Sequence, residues 1–149
     1  MLKGILAISG KPGLYKMITN ARNSIIVESL IDGKRMPAYA TSKISSLEDI
    51  SIFTDDGDAN LAEVFARIFE QGIAINPAKA SANDLKKAFR EALPEYDEDR
   101  VYVSDIKKVF SWYNLLKEKE IITSESVEEL RKEEEDQDEN PEKNDEADS

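Results

Sequence analysis

"SKISSLEDISIFT", residues 42–54, decides how the first third of the chain folds. Ser45-Ser46-Leu47-Glu48 has the Ser-x-x-Glu spacing that starts a helix. Ile50, Ile52 and Phe53 then resume an extended pattern at once, so only a single helical turn fits. Working outward, "GILAIS" and "GLYKMIT" flank a Gly/Pro turn, and "NSIIVESL" carries the β-branched run Ile25-Ile26-Val27. In that segment Ile25, Val27 and Ser29 share one face and Ile26, Glu28 and Leu30 the other, so both faces are partly apolar. Asp32-Gly33 separates "VESLI" from "KRMPAYAT", a pair suited to the positive φ of a tight hairpin. Pro37 cannot donate to a ladder, which puts the fourth strand at an edge or a bulge. Four strands, one helical turn and a short fifth strand within residues 4–54 follow the order of an SH3-like small β-barrel. A plain five-stranded meander packed on helices is the alternative.

The charge is distributed unevenly. The chain has 149 residues and a net charge of −11. Residues 1–54 carry seven Lys/Arg against four Asp/Glu, residues 55–122 ten against fourteen, and residues 123–149 three against thirteen. Most of the negative charge therefore belongs to the C-terminal segment, and the front is mildly basic. There is no cysteine and no histidine. Disulfides, thiolate chemistry, Ser-His and Cys-His catalysis and histidine-ligated zinc are excluded. "MLKGILAISGK" has no signal-peptide pattern, and no apolar run approaches the roughly 18 residues of a membrane span, so the expectation is a cytoplasmic protein without membrane contact.

"DDGDAN" at 55–60 has the composition of a linker, with Asn60 placed to cap a helix. Leu61, Val64, Phe65, Ile68 and Phe69 then recur at helical spacing up to Gly72. A second helix opens at Ser81 and buries Leu85, Phe89, Ala92 and Leu93 before Pro94. A third follows the extended "VYV", starts at Ser104, and carries Ile106, Val109, Phe110, Tyr113 and Leu116 in its stripe with Trp112 on the flank. A short final helix is expected from Ser124 to about Glu134. Beyond it the densely acidic sequence lacks aromatic or branched apolar residues and is expected to be a disordered tail. The organisation is thus α+β: an SH3-like β domain over 1–54, a helical domain over 60–122, and a short helix with an acidic tail over 123–149.

The chemistry-bearing motifs fail on inspection. A phosphate-binding loop needs Gly-Lys-Ser/Thr followed by a helix, but Lys11 precedes Pro12, which has neither hydroxyl nor N–H, and "GLYKMIT" alternates like a strand. Asp56-x-Asp58-x-Asn60 begins like a calcium loop, but Leu61 stands at its sixth position and Arg67 at its twelfth, where glycine and glutamate are required. Glu28 has no partner acid by spacing for a carboxylate pair. The acidic connector "PEYDEDR" would face phosphates badly in a helix-turn-helix, which assigns Lys107-Lys108 and Trp112 no recognition role and leaves the aromatic cluster to the core. No catalytic residue, cofactor or metal site is expected.

What remains is a candidate ligand-binding rim on the basic front: Lys11, Tyr15, Lys16, Arg22, Lys34, Arg35, Tyr39 and Lys43. The primary expectation is a non-enzymatic binding or adaptor protein acting on a protein partner. The alternative is RNA or single-stranded nucleic acid held by tyrosine stacking and lysine contacts, with the acidic tail competing for the same face.

"LKGILAISGKPGLYKMI", "IIVESLIDGKRMPAYATSKISSLEDISIFT" and "LPEYDEDRVYVSDIKKVFSWYNLL" give the chain its resemblance to an uncharacterised family of small Bacteroidetes proteins, a domain of unknown function, over about residues 2–122. The resemblance implies a cytoplasmic protein with a small β part, a helical part and a variable acidic tail. It transfers no activity and no site residue.

Overall fold

The structure, a computed structural model, describes residues 1–39 and 41–139. Five strands open the chain: β1 (Ile5–Ile8), β2 (Tyr15–Ala21), β3 (Ser24–Ser29), β4 (Arg35–Tyr39) and β5 (Ile44–Ser46). They form one antiparallel sheet in the order β4-β3-β2-β1-β5. Alternation along β1 sends Ile5 toward the helices, while Leu6 and Ile8 join Tyr15, Val27 and Ala38 in a second cluster belonging to the sheet itself. Burial on both faces of β1 thus follows from its central position.

The sheet is open, and the expected closed barrel does not form: β4 and β5 are its edges and do not pair. The physical reasons are local. β5 has three residues, and β4 carries Pro37, which lacks an N–H for a further ladder. The sheet is nevertheless curled. Tyr39 lies opposite Ser24 at one end and Ile44 opposite Ile8 at the other, yet five residues of chain reach at most ~18 Å. A flat five-stranded sheet would separate its edges by about 19 Å sideways alone. A register shift between Met17 and Thr19 in β2 supplies part of the bend.

Leu47–Asp49 forms the single helical turn, of 3₁₀ type, and Leu47 is fully buried. The chain then departs from expectation. Residues 55–60 are not a linker: β6 (Ser51–Thr54) and β7 (Gly57–Asn60) make a separate hairpin. Asp55-Asp56 is its turn, and Gly57 takes a φ of 138°. On its other side β6 is held by the segment after the second helix, where Asp97 N–H donates to the Phe53 carbonyl (2.9 Å) and Asp55 N–H to that of Glu95 (2.9 Å).

The helices follow their apolar periods: α1 (Leu61–Glu70), α2 (Ala82–Ala92), α3 (Val103–Glu118) and α4 (Ser124–Glu139). Asn60 and Ser81 accept from the backbone N–H of Glu63 (2.9 Å) and Asp84 (3.1 Å), capping α1 and α2. The expected stripe of α3 is buried throughout, from Ile106 to Leu116. Phe65, Phe89, Phe110 and Tyr113 meet Leu2, Ile5, Leu14, Leu47 and Ile52 in one continuous core. Sheet and helices therefore share an interior.

α4 runs five residues past its expected end, consistent with the high helix propensity of its Glu-rich sequence. Val127 is buried, and Arg131 ties the helix to α1 through Glu63 (2.6 Å) and Glu70 (2.6 Å), with Glu134 at 3.0 Å. The expected disordered tail lies, from residue 140 on, outside the described residues. Among the described residues no helix is long and apolar enough to cross a membrane.

Candidate functional site

The loop between β1 and β2 is the "SGKPG" turn. Gly10 and Gly13 adopt positive φ of 82° and 75°, and Lys11 N–H closes the turn on the Ile8 carbonyl (3.1 Å). Ser9 N–H donates to the Lys43 carbonyl (2.9 Å), which pins the residue before β5 beside the loop. At Gly13, whose φ is 75°, a Cβ would collide with the Ile31 side chain, so glycine lets the loop pack against the β3–β4 turn.

Between this loop, the start of β5 and α3 lies a cleft of about 610 Å³. Lys11 and Lys43 enter from the sheet side, Lys107 and Lys108 from α3. Trp112, half-buried, stands one helical turn beyond Lys108 and walls the cleft, while Ser9, Ser45 and Ser111 contribute hydroxyls. The lining contains no carboxylate. Four ammonium groups with an aromatic wall suit an anionic ligand with a flat apolar part. Among the described residues no group of three or more acids gathers to hold a metal ion.

Two of the eight expected rim residues, Lys11 and Lys43, meet in the cleft. Tyr15 is corrected outright: it is 7% exposed and packs inside the sheet cluster, because its parity on β2 places it with Leu6 and Val27. Lys16 is exposed on β2 opposite Glu28, and Arg22 sits in the β2–β3 turn. Lys34 lies in the β3–β4 turn, its N–H bound to Asp32 Oδ1 (2.9 Å). Arg35 pairs with Glu28 (3.3 Å), and Tyr39 is exposed at the far end of β4. None of these six residues lines the cleft. Lys107, Lys108 and Trp112 were given no recognition role by the sequence. The i, i+4 spacing of Lys108 and Trp112 was the available signal.

Residues 2–47 match a family model described as Domain of unknown function (DUF5606), and residues 50–116 match a second described as Domain of unknown function (DUF6852). The two matches meet at the helical turn Leu47–Asp49. The chain is 47% identical to a Bacteroides vulgatus protein known from a solution NMR structure determined by structural genomics. The superposition has a TM-score of 0.68 and covers 83% of this chain and 90% of that one. No curated protein matches the chain.

Proposed function

The chain belongs to an uncharacterised Bacteroidetes protein family, and within it we propose that this member is a non-enzymatic, cytoplasmic binding protein whose lysine-lined cleft takes the backbone of RNA or another single-stranded nucleic acid. One observation carries the proposal: Lys11, Lys43, Lys107 and Lys108 arrive from three separate elements around Trp112 with no acid in the lining. Paired surface charges need no ligand, whereas four convergent cations gain one. Phosphates supply the anions and Trp112 a face for a base, a contact worth about 1–3 kcal/mol in single-strand binders.

The net charge of −11 does not oppose this arrangement strongly. At physiological salt, charges farther than about 8 Å are largely screened, so the local lysines dominate what a ligand meets at the cleft. The SH3-like character of the β unit belongs to the same proposal. The strand order β4-β3-β2-β1-β5, curled but unclosed, leaves the loop ends free to present ligand-binding side chains.

The test is fluorescence anisotropy of the full chain with a mixed-sequence single-stranded RNA of twelve nucleotides. Four phosphate contacts give a loss of roughly 50-fold in affinity between 50 and 200 mM salt. Absence of binding at 50 mM salt refutes the proposal. Binding of an acidic peptide instead would return the cleft to the protein-partner role expected from the sequence.

A further inference from the structure

Adjoining the lysine cleft is a smaller, open pit of about 240 Å³ between β6 and α3. The two cavities share Ile50, Lys108 and Trp112, which separate them as a common wall. Their chemistries differ. The floor of the pit is apolar, made of the buried Ile52, Val101 and Val109. At its rim Phe53 is 47% exposed, and the Arg100 guanidinium lies 4.3 Å from the centre of its ring. Arg100 is itself fixed by Asp97 (2.7 Å) and the Thr54 carbonyl (3.4 Å). An exposed phenylalanine under a held guanidinium is a preset stacking surface rather than a mobile side chain.

The pit also carries one acid, Asp105. Its Oδ2 accepts the Tyr102 backbone N–H at 3.0 Å, which fixes the carboxylate at the first turn of α3 and leaves its second oxygen as an acceptor. With Arg100 held by Asp97 and the Thr54 carbonyl, Asp105 offers the pit an acceptor for a group bearing N–H donors. The volume falls below the roughly 300–1,000 Å³ of pockets for drug-sized ligands, and suits a single flat ring system.

We infer that the pit is a subsite for one unstacked nucleobase of the strand whose phosphates occupy the lysine cleft. Lys108 binds the phosphate at the common wall, Trp112 and Phe53 flank the ring, and Asp105 accepts from its edge. This inference rests on the nucleic-acid function proposed above. It also specifies the base. Guanine presents two adjacent N–H donors on its Watson–Crick edge and matches a carboxylate. Uracil sets its single N–H between two carbonyl oxygens, which a carboxylate repels.

The experiment uses the full chain at 50 mM salt with three eight-nucleotide RNAs: all-uridine, the same strand with one central guanosine, and the same strand with one central adenosine. The expected result is roughly tenfold tighter binding of the guanosine strand than of all-uridine, with the adenosine strand between them. Asp105→Asn, which retains a carbonyl for the Tyr102 N–H, should abolish the guanosine preference, weakening the guanosine strand while all-uridine binding holds or tightens as the repulsion is removed. Phe53→Ala gives a second variant that shrinks the preference without touching the cap of α3. Equal binding of guanosine and uridine strands by the unaltered protein overturns the base subsite while the cleft stands. Equal weakening of all strands by Asp105→Asn also overturns it. No binding of any strand overturns the nucleic-acid function itself.

Discussion

The α1–α4 interface and the lysine cleft are both dense in charge, and they use it in opposite ways. At the interface Arg131 touches Glu63, Glu70 and Glu134, and Arg67 touches Glu63 and Glu95, each pair within 3.0 Å. Every cation there has a carboxylate, and the result is a clamp that fixes one helix against another. At the cleft four cations share a lining with no carboxylate. Charge that is satisfied internally reports on architecture, whereas charge of one sign left facing a cavity reports on a missing partner. That difference is why the cleft, and not the more heavily charged helical face, carries the proposed ligand site.

Charge reversal at the cleft should give the largest effect. Lys107→Glu with Lys108→Glu replaces two phosphate contacts by two repulsions. RNA affinity is expected to fall on the order of a hundredfold, and the salt dependence to flatten with it. Both side chains are exposed, so the unfolding midpoint should move by less than about 0.5 kcal/mol in free energy. A variant that loses stability as much as affinity would erase the distinction between the two regions.

Breaking the clamp should produce the converse. Arg131→Met removes the hydrogen bonds to Glu63 and Glu70 and is expected to cost about 1–2 kcal/mol of stability, measured by urea unfolding, with RNA affinity within twofold of the unaltered protein. The clamp also carries a pH signature. Burial opposes ionisation of Glu63, but hydrogen bonds from Arg131 and Arg67 outweigh it and hold the carboxyl below its ordinary value of 4.5. The hydrogen bond from Arg131 lowers Glu70 in the same way. Their stabilisation is therefore present above about pH 4.5 and disappears as pH falls through the lowered values. Glu134, raised by burial and then by Glu63, acts in the opposite sense, recovering some stability as pH falls through its raised value toward 4.5. The melting temperature should drop between pH 6 and pH 3.5, and Arg131→Met should reduce the drop. An unchanged pH profile in the variant would place the acid sensitivity elsewhere.

The smallest effect is expected at β4. Arg35 is 63% exposed and its pair with Glu28 spans 3.3 Å, so Arg35→Gln should change stability by less than about 0.5 kcal/mol and RNA affinity by less than twofold. A larger loss of affinity would extend the binding surface across the sheet and redraw the cleft's boundary.

How much of this was legible in the sequence depended on the range of the interactions involved. Leu61, Val64, Phe65 and Ile68 declare α1 through their spacing alone, and Asn60 and Ser81 announce their caps. The β6–β7 hairpin was hidden because "DDGDAN" has turn composition. Its strand character comes from pairing Phe53 with Asp58 and Ile52 with Ala59, and from the backbone of Glu95 and Asp97 on the other side. Barrel closure was over-read, since the pairing of β4 with β5 depends on edges that no local pattern describes. Tyr15 was assigned to a rim by its chemistry, and one step of strand parity placed it inside. Half of the cleft's lysines were visible as front-end charge. Lys107, Lys108 and Trp112 join them through the packing of the first loop beside α3, some hundred residues away in sequence, which no local pattern describes.

Leu47 has a consequence for how such a chain is assembled. It sits in the turn where the two family matches meet, and its side chain is wholly enclosed by the common interior. A seam of this kind is no hinge between cassettes. Ile5 and Leu14 on one side and Val64, Phe65 and Phe110 on the other close around the same space. Either half made alone would expose the apolar surface that the other now covers.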